Sequence, residues 1–260
     1  MSVSSGSLTV VGTGIQLGTQ LTPEARMAIK NADIVLSLVA EPVMQSAVER
    51  LNPETRSLQE HYALGRSRAD AYEAMVEEIL AHVRRSLDVC AAFYGHPGVF
   101  VAPSHEAVRR AREEGFQARM LPGISAEDCL FADLGVDPAR FGCQSYEATD
   151  FLVHGRRVDP TATLVLWQLG TVGNAAASAE ARPSGLGVLV EVLLELYPRD
   201  HEVVVYEASP YPGFDPRISR VPLAELAPEH ATAMSTLYVP PRKVARRDLR
   251  MLDRLGLPRP

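Results

Sequence analysis

Tyr62, Arg68 and Tyr72 bring two phenols and a guanidinium into one short stretch, HYALGRSRADAY. Arg68 and Tyr72 are four residues apart and share a helix face. Tyr62 stands six residues before Arg68, in the preceding loop. A free phenol ionises near about 10, and a neighbouring cation favours its charged form, so such a group can accept a proton. Tyrosines at helical spacing also pack into cores with the hydroxyl at the edge, and residue types alone leave both readings open. A second set of residues occupies turns. Val89–Phe93 and Phe116–Leu121 read as short buried parallel strands, each followed by glycine and proline. The turns are Tyr94-Gly95-His96-Pro97-Gly98 and Pro122-Gly123-Ile124-Ser125-Ala126, with Ser125 as a helix N-cap. Ligands of open α/β sheets sit at such strand ends, where glycine lets the backbone come close and proline fixes the turn. Two turns of this kind make a small-molecule cleft, or two ordinary strand–helix connections.

The elements that must position these groups follow in chain order. Residues 7–11 form a first strand, and Thr22-Pro23 starts a helix to Asn31. A strand Ile34–Val39 and a helix from Pro42 to Leu51 come next. Tyr72, Met75, Ile79 and Val83 recur with helical spacing, predicting a helix over Ser67–Ser86. The segment GTGIQLG resembles a dinucleotide fingerprint, with Glu41 after the next apolar run, but its third glycine position holds Leu17. A close-packing glycine turn fits it better. Beyond Pro122 the pattern changes to strands with longer loops: Gln144–Ala148, Thr163–Gln168, Glu202–Tyr206 and Ser235–Val239, with a helix over Gly187–Tyr197. This predicts an α/β protein with a parallel-sheet domain over 1–121, a mixed-sheet domain over 122–241 and a basic tail or helix over 242–260. The loops 171–185 and 209–213 are expected to border a substrate channel, the first of them as a mobile segment. The tail carries seven basic and two acidic residues, with Val244, Leu249, Leu252 and Leu255 as an apolar stripe. It reads as a solvated helix or as an arm for a partner subunit or leader peptide.

Composition narrows the classes. With 260 residues, 46% of them hydrophobic, the chain can bury a large core, and a net charge of −6 argues against a general nucleic-acid binder. No apolar run approaches a membrane span, and MSVSSGS has no secretory pattern. The three cysteines lack metal-ligand spacing and fit a reducing, cytoplasmic location. His96 has no second histidine at metal spacing, so no metal is expected.

YGHPGVF and PGISAEDCLFADLG resemble the two signature turns of the class III S-adenosylmethionine-dependent methyltransferases, the tetrapyrrole-methylase superfamily. Together with GSLTVVGTGI, HYALGRSRADAY, SYEATDFL and STLYVPP, they resemble more narrowly the borosin peptide backbone α-N-methyltransferases, over roughly residues 6–241. The resemblance implies two α/β domains with S-adenosyl-L-methionine, released as S-adenosyl-L-homocysteine, in the cleft between them. It implies a catalytic set of Tyr62, Arg68, Tyr72 and Tyr94. Cofactor contacts would fall on Tyr94, His96, Val99, Ala126, Gln168, Ala208, Ser235 and Thr236, although His96 also reads as a plain turn residue. Tyr62 would act as base, with Arg68 and Tyr72 organising the amide. In resembling fungal enzymes the chain runs on into a clasp and a self-methylated tail. Here it stops, so a separate precursor peptide is expected, with a homodimer that forms a heterotetramer with it. Methylation of a tetrapyrrole or other small molecule is the alternative; a non-catalytic peptide-binding module is the alternative of another class.

Overall fold

The computed structural model describes residues 6–16, 18–39, 41–62, 67–174 and 185–259. Its contacts divide the chain into two compact units. The first runs to Gly135 and includes Glu207–Arg217; the second takes Val136–Asn174, residues 185–206 and the chain from Ile218. Most of the segment expected to be a mobile loop, residues 175–184, lies outside the described residues, as does Leu17.

The first unit is built from β1 (Ser7–Gly12), α1 (Pro23–Asn31), β2 (Ile34–Leu38), α2 (Pro42–Leu51) and β3 (Thr55–Ser57). A 3-10 turn at Gln59–His61 leads to α3 (Arg68–Arg84), β4 (Asp88–Phe93), α4 (Ala102–Glu113), β5 (Gln117–Met120) and α5 (Ala126–Leu134). The strands form one parallel sheet in the order β3-β2-β4-β1-β5, with Val10 level with Ala91. Alternate residues of the central strands feed two cores. Leu8, Val10, Leu36, Ala91 and Phe93 pack with Met75, Ile79 and Leu80 of α3 and Ala107 and Ala111 of α4. Val11, Val35, Cys90 and Ala92 pack with Ala25 and Ile29 of α1 and Val48 of α2. Burial on both faces is why these strands read as continuous apolar runs.

The expectation that both turn-bearing strands are buried holds for β4 and fails for β5. β5 is an edge strand that exposes Gln117 and Arg119, and its apolar flanks Phe116 and Leu121 lie outside it. The units change over between Gly135 and Val136 rather than near Pro122, so α5 counts with the first. Two contacts tie it there: the Gly123 turn lies against Pro97 and Gly12, and Gln20 Nε2 donates to Cys129 Sγ at 3.4 Å. Ser125 and Asp128 form a reciprocal capping box at its start, and Gly135, left-handed at φ 64°, ends it.

After Gly135 come α6 (Pro138–Phe141), β6 (Cys143–Glu147), α7 (Ala148–Val153), β7 (Thr163–Trp167), α8 (Leu186–Leu194), β8 (Glu202–Glu207), β9 (Arg217–Pro222), β10 (Thr236–Val239) and α9 (Leu249–Leu255). The second sheet has the order β6-β7-β10-β8-β9. β6 and β7 are parallel, while β10 is antiparallel to β7 and β8, the mixed sheet that the pattern change predicts. Phe151, Leu164, Leu166, Leu189, Leu193, Val205 and Leu237 fill its core. α9 buries no residue; Val244 and Leu255 are among the exposed apolar side chains of the tail. No described helix is long and apolar enough to cross a membrane.

Candidate active site

Three turns meet at the carboxyl end of the first sheet. The chain leaves β1 toward β2 and leaves β4 toward β5, so these adjacent strands mark the point where the winding reverses, the usual ligand position in such sheets. Gly14 and Gly95 form an isolated antiparallel bridge, N–H to O at 3.2 and 3.0 Å. A Cβ at Gly12 would lie 2.1 Å from Gly95 O, and Gly95 is itself left-handed at φ 72°. GTG is therefore a close-packing turn, the role that its spacing favours over a dinucleotide site.

Tyr94, half-buried, follows β4 and donates its N–H to Leu38 O at 3.0 Å. Burial first, then the Cys129 and Glu41 charges, push its phenol up to about 12. His96 Nδ1 accepts from the Gly98 N–H at 2.9 Å, the geometry of a turn-forming residue. The Ser104 hydroxyl donates to Pro97 O, fixing the same turn to α4, and the Val99 N–H donates to His96 O at 3.2 Å. Ala126 opens α5 directly after the Ser125 cap.

Tyr62 closes the 3-10 turn, and His61 Nε2 lies 2.5 Å from Glu78 Oε2 of α3, which tethers that turn. Arg68 begins α3 behind the N-cap Ser67, whose hydroxyl accepts from the Asp70 N–H at 3.1 Å. Tyr72, one helical turn on, meets Tyr62 edge to face, with ring centroids 6.4 Å apart and planes at 75°. Both rings pack against the α3 core, so the core role and a chemical role are realised together. The expected effect of Arg68 is present but outweighed. Burial, then the charge and hydrogen bond of Tyr72, hold the Tyr62 phenol above its ordinary value, and Arg68 only opposes them. At neutral pH Tyr62 is therefore a protonated phenol packed beside Tyr72.

Gln168, Ser235 and Thr236 share one end of the second sheet. The expected strand Thr163–Gln168 stops at Trp167, because Gln168 turns left-handed at φ 58°. The Leu169 N–H donates to Ser235 O at 2.9 Å, and Ser235 Oγ accepts from the Thr232 N–H at 2.8 Å. Ser235 and Thr236 are buried; Ala208 comes directly after β8. Sequence reasoning missed Gln20, whose Oε1 accepts the Ile15 and Gln16 N–H groups at 2.8 and 2.9 Å and so closes the GTG loop. Only the glycine-flanked loop around it could have pointed there.

One parallel and one mixed five-stranded sheet, with glycine turns at the strand ends, are a methylase architecture, and solved structures share it. Uroporphyrin-III-C-methyltransferase from Thermus thermophilus aligns with TM-score 0.65 and 19% identity over 98% of this chain and 98% of that one. Diphthine synthase aligns with TM-score 0.62 and 17% identity over 92% and 91%. At such identity the likeness is one of fold. The profile of the Tetrapyrrole (Corrin/Porphyrin) Methylases matches residues 7–227, and the chain belongs to that family.

Curated fungal relatives are more similar in sequence. The methyltransferase/ribosomally synthesized cyclic peptide gymnopeptides precursor of Gymnopus fusipes is 41% identical over 97% of this chain and 61% of its own length. The corresponding dendrothelin A precursor of Dendrothele bispora is 45% identical, over 94% and 59%. The omphalotin A precursor of Omphalotus olearius is 43% identical, over 97% and 62%. The chain thus spans about three fifths of the length of these relatives.

Proposed function

We propose that this chain is an S-adenosylmethionine-dependent methyltransferase that methylates backbone amide nitrogens of a ribosomally made precursor peptide, as in borosin biosynthesis. The observation that carries the reading is the Tyr62–Tyr72 pair beside Arg68, held on the unit that also bears the glycine turns. The names of relatives above 40% identity support a peptide substrate.

Gly12 and Gly95 let the two turns pack backbone against backbone, which holds the strand ends close together where a cofactor would approach. Tyr94, His96, Val99 and Ala126, with Gln168, Ala208, Ser235 and Thr236, are the groups that would hold it. When bound, the cofactor supplies a methyl group already activated on sulfonium, so the chemistry left to the protein concerns the amide. An amide nitrogen is a poor nucleophile until its N–H proton leaves and charge on its carbonyl oxygen is stabilised. Arg68, always cationic, offers that oxygen a charged donor, and the Tyr72 and Tyr94 hydroxyls offer neutral ones. Tyr62 takes the proton. Its buried phenolate is scarce at neutral pH, and for the same reason strongly basic when formed.

The reading includes a homodimer, and a heterotetramer with precursor supplied as a separate chain. A precursor peptide added to the purified protein with S-adenosylmethionine tests it: mass steps of one methylene on backbone nitrogens are expected. Methylation of a tetrapyrrole or other small molecule instead would favour the second reading, which rests on the family's description. Absence of cofactor binding by calorimetry would revive a non-catalytic peptide-binding module.

A further inference from the structure

A cavity of about 220 Å³ lies between α1, α2 and the turn after β1, within the first unit. Leu21, Met44, Val48 and Leu51 make its wall apolar, and Thr13 reaches it from the turn. Two cations also line it, Arg26 of α1 and Arg50 of α2. Among the described residues neither guanidinium has an ion-pair partner, whereas Arg84, Arg109 and Arg110 each bridge two or more carboxylates. Arg26 is half-buried and Arg50 exposed, so two positive charges belong to the lining of an otherwise apolar pocket.

We infer that this cavity binds a small carboxylic acid with a short apolar chain, taken from solution as its anion. The chain occupies the space among Leu21, Met44, Val48 and Leu51, where it leaves water. The carboxylate meets Arg26 and Arg50, whose planar donors match its two oxygens. The volume sets the size: about 220 Å³ exceeds the roughly 150 Å³ of an engineered cavity that holds benzene, room for a chain of about six carbons. Occupancy also bears on the neighbouring turn. The Thr13 hydroxyl lies 3.4 Å from Met44 Sδ and 3.3 Å from Phe93 O, and Thr13 joins Gly12 to Gly14, so a guest against Met44 braces the GTG turn from behind. The site stands apart from the Tyr62–Tyr72 pair and does not depend on the methylation reading.

Calorimetric titration of the full chain with hexanoate, hexanol and acetate tests the assignment. Hexanoate should bind at least about tenfold more tightly than either control, since only it offers both the chain and the anion. The Arg26→Gln/Arg50→Gln double variant should lose that preference while keeping the weaker binding of hexanol. Labelled methionine methyls localise the guest, and the Met44 resonance should shift. Equal affinity for hexanol would leave only an apolar cavity, and equal affinity for acetate only a surface anion site. Either result overturns the inference, as would no hexanoate binding at millimolar concentration or an unmoved Met44 signal. The wild-type comparison stands even if the double variant fails to fold.

Discussion

At the scale of single residues, the proposed chemistry rests on Tyr62, a phenol that burial keeps protonated. Tyr62→Phe keeps the ring packing with Tyr72 and removes only the hydroxyl, so the protein should fold and bind cofactor as before. Its methylation rate should fall by about 10²–10⁴-fold, the usual worth of a positioned proton acceptor, as read by mass spectrometry of the peptide. Because the Tyr62 phenol sits above its ordinary value, the rate should climb from neutral pH without levelling before about 10, the value of an unperturbed tyrosine. A plateau near neutrality would point to another base. Tyr94 gives a stability counterpart. The folded chain holds its proton more tightly than the unfolded chain, so that contribution is intact below pH 10 and is lost as pH rises through about 12. Tyr94→Phe should make urea unfolding less sensitive to pH across that window. The residue types at 62, 68 and 72 were legible in the sequence. The balance between Arg68 and burial was not, since it depends on how deeply the α3 core covers the ring.

At the scale of elements, the turns are the rigid part of the site. A methyl group at Gly12 would stand 2.1 Å from the Gly95 carbonyl oxygen, which neither β1 nor β4 can yield without losing register. Gly12→Ala should therefore cost at least about 1–3 kcal/mol in chemical denaturation and abolish cofactor binding. Ser125→Ala removes one half of the capping box and should cost about 1 kcal/mol, loosening α5 with little effect on the sheet. Strands buried on both faces, helix caps and glycine turns were readable because each has a local cause. β5 was misread because its apolar ends flank an exposed middle. The left-handed turn of Gln168 was not legible, and the closing role of Gln20 was marked only by the glycine-flanked loop around it.

At the scale of the whole molecule, alternation of strand and helix up to β5 dictated the parallel sheet, and the later, longer loops dictated a mixed one. The strand order was not readable, because parallel pairing is set by crossovers rather than by neighbours in sequence. That order makes β1 and β4 adjacent and so brings two separate glycine motifs together at one end of the sheet. On the proposed reading, the first unit prepares a main-chain amide for methyl transfer. Fragmentation mass spectrometry of a precursor peptide after incubation with the protein and S-adenosylmethionine tests it most directly. The account predicts successive methyl groups on backbone nitrogens, lost in Tyr62→Phe; methyl groups confined to side chains, or undiminished in that variant, would contradict it.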